Sequence, residues 1–138
     1  MVNLKMRKKN LILVTLVLLV LMFSFGCTES ITSNPENTLK KYVIYYNGIQ
    51  GDDIYDLFSN DLKKEYSKDQ IHNIVYATDY SISDYEIIEK TVTDKVTTLN
   101  VDITWDMEGI HITNNYNIEF VFEDDEWKIN SNVIRYHP

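Results

Sequence analysis

Near residue 80 the apolar pattern of this chain changes period, and that change limits the fold more than any other feature. From Leu39 to Val75 the large apolar residues recur three and four apart, as on one face of a helix. Leu39, Tyr42, Val43 and Tyr46 form the first such stripe, and Ile71, Ile74 and Val75 the last. From Thr97 to Trp105 the pattern alternates strictly. Leu99, Val101, Ile103 and Trp105 point one way, and Thr98, Asn100, Asp102 and Thr104 the other. Alternation of this kind marks a strand of an antiparallel sheet with one buried face. Helices followed by a run of strands predict an α+β architecture, with the helices layered on the sheet.

The element boundaries are written in capping and turn residues. Asn34-Pro35-Glu36 supplies a capping side chain, a proline at the first helical position and an acid in the first turn. Gly48 is the expected stop. Gly51-Asp52-Asp53 opens a short helix with Ile54, Leu57 and Phe58, and Ser59 caps its continuation through Leu62 to Tyr66. Ser67-Lys68-Asp69-Gln70 reads as a capping box, starting a helix that ends near Ala77 or Thr78. Ile82 to Thr93 is a first strand, with a turn at Asp94-Lys95, and a second turn falls at Met107-Glu108-Gly109. On the third strand Ile110, Ile112, Tyr116, Ile118, Phe120 and Phe122 share the inward face. His111, Thr113, Asn115, Asn117 and Glu119 lie opposite. Glu123 to Glu126 forms the last turn, and Trp127, Ile129 and Val133 mark the last strand.

This order resembles the nuclear transport factor 2-like superfamily, also called cystatin-like, over roughly residues 35 to 135. The local likeness is strongest at Glu123-Asp124-Asp125-Glu126-Trp127-Lys128-Ile129, an acidic hairpin tip followed by Trp-Lys-Ile. The resemblance implies N-terminal helices packed into a curved four-stranded antiparallel sheet, forming a cone. It also implies a pocket between helices and sheet, for which Trp105, Asn114, Tyr116, Tyr46 and Trp127 are the candidate lining.

The N-terminal 27 residues carry a separate message. Lys5, Arg7, Lys8 and Lys9 precede an apolar stretch from Leu11 to Phe23, and Gly26-Cys27 follows, with the chain's single cysteine. Thirteen helical residues rise only about 20 Å, short of the ~30 Å of hydrocarbon a spanning helix must cross. A signal-peptide core fits better. The layout resembles a prokaryotic lipoprotein signal, with small Gly26 before a cysteine that receives lipid, palmitate included. Ser24 stands where bacterial signals usually carry leucine, which leaves open an archaeal variant or a retained anchor. The expected organisation is a signal peptide over 1–26, a lipidated cysteine and polar tether over 27–34, and one domain over 35–138. The domain would then sit on the extracytoplasmic side of the cell membrane, anchored through lipid.

Charge narrows the partners. The chain carries 13 basic and 21 acidic residues, a net of -8 at pH 7; removal of residues 1–26 takes away four basic residues and brings it to -12. Nucleic acid rewards basic patches, so the acidity argues against it as a partner, and anionic headgroups are equally unattractive. With no basic patch to assist, the anchor at Cys27 must carry more than one chain to hold.

A catalytic reading of the cone requires an ionisable group on an inward position, where loss of water shifts its pKa. Leu99, Val101, Ile103 and Trp105 supply none, and the third strand breaks its apolar run only at Asn114 and Tyr116. Asp102, Asp106, Glu119 and Glu123 fall on the outward or rim register. His72, His111 and His137 lack ligand spacing, so neither a zinc site nor another metal or cofactor is expected. The expectation is therefore a non-catalytic binding or protein-interaction module, in contact with an envelope protein. A carrier of a small apolar ligand and an isomerase- or dehydratase-like enzyme stay as alternatives. The outer sheet face, polar and nearly uncharged, permits a homodimer.

Overall fold

The computed structural model describes residues 33–135. The signal segment, Cys27, most of the tether and His137 lie outside the described residues.

Four helices precede the sheet: α1 (Pro35–Asn47), α2 (Gly51–Asp56), α3 (Leu62–Glu65) and α4 (Lys68–Tyr76). The Asn34 side chain accepts the Asn37 amide at 2.7 Å and starts α1. Ser67 and Gln70 complete a reciprocal capping box on α4. Ser59 Oγ accepts the Leu62 amide at 3.1 Å, which caps the turn leading into α3. The sheet is a meander of β1 (Ser81–Thr93), β2 (Val96–Met107), β3 (Ile110–Glu123) and β4 (Glu126–Ile129), in that spatial order. All pairs are antiparallel, and β1 carries two bulges, between Ile82 and Asp84 and between Ile87 and Glu89. Each bulge bends a strand and increases its twist, which curves the sheet around the helices. The predicted α+β class and four-stranded antiparallel order are what the structure has.

Leu99, Val101, Ile103 and Trp105 are fully buried, together with Ile118, Phe120 and Ile129 from the neighbouring strands. Leu39, Tyr42, Ile54, Ile71 and Val75 from the helices, and Phe58 from the connection between α2 and α3, close over them. Polar bonds fasten α1 to the sheet near both of its ends. Thr38 Oγ1 donates to the Trp127 carbonyl at 2.9 Å. Asn47 makes a two-point clamp on Ile82, donating to its carbonyl at 2.7 Å and accepting its amide at 2.8 Å.

Three expectations need correction. Val133 is buried but belongs to a 3-10 turn (Val133–Arg135), because β4 ends at Ile129 after four residues. Ile110, Ile112 and Phe122 hold the inward register of β3 yet stay exposed, since the helices do not reach the ends of this long strand. Ile74, expected inward on α4, is 36 % exposed.

The stop of α1 also differs. Gly48 has φ −84°, an ordinary right-handed value, and the left-handed residue is Ile49, at φ 56°. Ile49 donates its amide to the Tyr46 carbonyl at 3.1 Å and Gln50 donates to Tyr45 at 2.8 Å. This is a Schellman termination, in which the left-handed position usually belongs to glycine. A β-branched residue there is an outlier costing roughly 1–2 kcal/mol.

The hairpin tip between β3 and β4 also uses positive φ at both central residues, Asp124 at 51° and Asp125 at 63°. Asn-Gly suits that geometry better than two adjacent aspartates. The double change Asp124→Asn, Asp125→Gly is expected to stabilise the protein by about 1 kcal/mol, read as a higher urea midpoint at unchanged m-value.

A cleft at the mouth of the cone

Trp105 sits where α1, the α4–β1 connection and β2 converge, and its ring is fully buried. Tyr46 meets it edge-on at 5.6 Å and Tyr80 at 5.4 Å. Its indole Nε1 donates to Tyr116 Oη at 3.2 Å, and Asn114 Nδ2 donates to the same oxygen at 3.3 Å. Four of the five sequence candidates are thus gathered here. Trp127 is not among them. It packs against Phe122, centroids 5.4 Å apart, and Phe122 lies six residues beyond Tyr116 on β3, about 20 Å along the strand.

Trp105 and Tyr46 belong to the buried core, and Tyr80 and Tyr116 pack against it. In front of them a solvent-facing cleft of about 400 Å³ is lined by Tyr46, Asn47, Ile49, Val75, Thr78, Asp79, Tyr80, Ser81, Asp106, Glu108 and Gly109. Tyr46 is the one sequence candidate that reaches this lining. The cleft joins the end of α1, the loop before β1 and the β2–β3 turn. Its back wall is aromatic and hydroxyl-bearing, while Asp79, Asp106 and Glu108 supply carboxylates. Asp106 Oδ1 accepts the Gly109 amide at 2.8 Å, holding the turn. No lysine, arginine or histidine among the described residues forms an ion pair with any of the three carboxylates.

Burial pushes the Tyr46 phenol well above its usual range, and a hydrogen bond from Thr78 offsets this only in part. The phenols of Tyr80 and Tyr116 add to the rise. Burial likewise raises Tyr80, against hydrogen bonds from Tyr46 and Thr78 that pull it down. Both phenols are therefore neutral at physiological pH and serve as hydrogen-bonding groups. The sign of the linkage follows. Folded Tyr46 keeps a proton that the unfolded chain releases above pH 10. Stability is thus unaffected below that value and falls above it, by about 1.4 kcal/mol per pH unit. Tyr46→Phe should flatten this alkaline loss, as urea melts at pH 8, 10 and 11 would show.

The sequence placed Asp106 on a rim register but did not single out Asp79, Glu108 or Ile49. Those three belong to loops and turns, where period gives no direction to a side chain. On the outer sheet face, Asn100, Asn115 and Asn117 form an amide ladder with bonds of 2.8 to 3.0 Å, and Asn115 also donates to Asp102 at 2.7 Å. His111 lies on the same face, its Nδ1 3.5 Å from Ser83 Oγ. Among the described residues no cluster of histidine and acidic side chains could hold a metal ion.

No family model matches the chain, and no curated protein matches it. Solved structures do. A SEC-C motif containing protein from Rhodopseudomonas palustris superposes with a TM-score of 0.61 at 12 % identity, over 75 % of this chain and 80 % of that one. A protein described as an NTF2-like transpeptidase from Campylobacter jejuni gives 0.54 at 17 % identity, over 72 % of this chain and 100 % of that one. A protein described as a calcium/calmodulin-dependent protein kinase type II association domain, from Thiobacillus denitrificans, gives 0.59 at 10 % identity, over 73 % of this chain and 93 % of that one. At such identities the likeness concerns the fold: helices in the hollow of a curved four-stranded antiparallel sheet, consistent with the nuclear transport factor 2-like cone.

Proposed function

We propose that this protein is an exported binding module that captures its ligand in the cleft at the mouth of the cone and performs no chemistry on it. The carrying observation is the buried Trp105 ring, packed edge-on by Tyr46 and Tyr80. Trp105 occupies the space where a reaction chamber or lipid cavity would lie, and its indole N–H is already bonded. In front of it lies an open cleft with carboxylates, hydroxyls and one aliphatic wall. The module is tethered to the extracytoplasmic membrane face by acyl chains on Cys27. The basic-apolar-Gly26-Cys27 order supports that tether.

Two measurements test this reading. Intact-mass analysis of the membrane fraction should find residue 27 acylated, and Cys27→Ser should abolish that mass increment. A fragment screen on the ¹⁵N-labelled full chain in nonionic micelles should move the signals of Ile49, Thr78, Tyr80 and Gly109. Shifts confined to the outer-face ladder or to Trp127 would contradict the assignment of the cleft.

A further inference from the structure

We propose that the end of the domain carrying Phe122 and Trp127 docks on the lipid surface, with this aromatic pair at the bilayer interface and the cleft facing away from it. The orientation rests on the acyl tether at Cys27 and adds which side of the domain meets the membrane. Phe122 and Trp127 face each other across the β3–β4 hairpin, ring centroids 5.4 Å apart. Phe122 is 43 % exposed and Trp127 half-buried. Val92 stands on the same face at the same end, in the row of Thr97 and Phe120, and is 62 % exposed. The Phe122 amide donates to the Lys95 carbonyl at 3.2 Å, which holds the β1–β2 turn beside the pair. Exposed apolar surface rimmed by charged turns has the form of a contact site.

The tether selects what covers it. Ser33 Oγ accepts the Trp127 amide at 3.1 Å, so the chain enters the domain at the aromatic end. Cys27 lies six residues before Ser33, a reach of at most about 22 Å. Phe122 and Ile110 are twelve residues apart on β3, about 40 Å along the strand. An anchor at Cys27 thus holds Trp127 close to the headgroups. It cannot stand the domain on the far end, where Ile110 and Ile112 are also exposed. Tryptophan suits the headgroup level because its ring is amphipathic, one part apolar and one part hydrogen-bonding. A surface tethered this close meets lipid at high effective concentration and needs little affinity of its own. Charge then chooses among lipids. Asp124 and Asp125 form the tip beside the pair, flanked by Glu123 and Glu126, and among the described residues only Glu126 of these four forms an ion pair, with Lys128. An anionic bilayer repels such a tip, so the surface that fits is zwitterionic.

The test uses the acylated full chain, taken from the membrane fraction and placed in phosphatidylcholine nanodiscs that carry a small share of phosphatidylcholine with a nitroxide in its acyl chain. In ¹⁵N NMR spectra the amides of Lys95, Phe122 and Trp127 should broaden several-fold more than those of Ile49 and Gly109 at the mouth of the cone. Phe122→Ser changes an exposed position, so the fold survives, and it should cut the broadening at Trp127 several-fold with the acyl mass unchanged. Phosphatidylglycerol in place of part of the phosphatidylcholine should also reduce the broadening.

A domain that only hovers on its tether would broaden equally with and without Phe122→Ser, and that result overturns the docking while leaving the tether. Docking on a second copy would shield the pair from the nitroxide and make its signals depend on the number of chains per disc, which also overturns the lipid surface. Stronger broadening with phosphatidylglycerol overturns the zwitterionic preference. An intact mass without acyl chains, on a protein lost from the discs, overturns the tether and the orientation together.

Discussion

Gly51→Ala is expected to destabilise the protein by about 3 kcal/mol or more, lowering the thermal midpoint by at least about 12 °C. The reason is contact, not backbone freedom. A Cβ at Gly51 would lie 2.4 Å from His72 Cα and 2.9 Å from its backbone nitrogen. Those are main-chain atoms of α4, so no rotamer change relieves the clash and the two helices must separate. Ile54, Ile71 and Val75, all buried at that seam, would lose their packing together. For a domain whose total stability is about 5–15 kcal/mol, such a loss removes a large fraction of it. Gly109→Ala is the control. Nothing lies within 4 Å of its would-be Cβ, so only the left-handed φ of 89° is strained, and a loss of about 1 kcal/mol is expected. Equal melting temperatures for the two variants would contradict the close approach of α2 and α4.

The second large effect concerns Trp105. Trp105→Ala should cost about 3–5 kcal/mol, because the ring is fully buried between Tyr46 and Tyr80 and the cone cannot collapse around the void. It also removes one of the hydrogen bonds donated to Tyr116 Oη. Trp105→Phe should recover most of the loss, short by about 1 kcal/mol for the missing indole bond. Trp127 carries the same side chain half-buried on the short last strand, and its alanine variant should cost much less. Urea melts of the three variants, read at constant m-value, decide the order. A similar cost for both tryptophans would mean that Trp105 is not part of the core.

The contrast between the two tryptophans shows what the sequence could and could not convey. Alternation along β2 assigned Leu99, Val101, Ile103 and Trp105 inward because each sits on a strand flanked by partners on both sides, where period 2 decides burial. The same rule sent Phe122, Ile110 and Ile112 inward, and there it gave the face correctly but not the burial. Whether a face is covered depends on the reach of α1 to α4 and on the four-residue length of β4. Both are tertiary facts with no local pattern. The capping box at Ser67 and the cap at Asn34 were legible because a side chain and a backbone amide three residues away decide them locally. The end of α1 misled for a physical reason. Gly48 is the residue that most readily takes a left-handed conformation, yet that conformation falls on Ile49, and no local preference announces it. The cleft itself was hidden, since Asp79, Glu108 and Ile49 come from three separate connections.

Most direct is a single titration: the full chain in nonionic micelles, both indole N–H signals resolved, with the strongest hit of the fragment screen added. The account requires Gly109 and Tyr80 to move while the indole N–H of Trp105 keeps its position and its slow hydrogen exchange, because the ligand stays outside the core. A Trp105 indole that shifts with the ligand, or exchanges as fast as that of Trp127, would place an open chamber where the structure has a core and would contradict it.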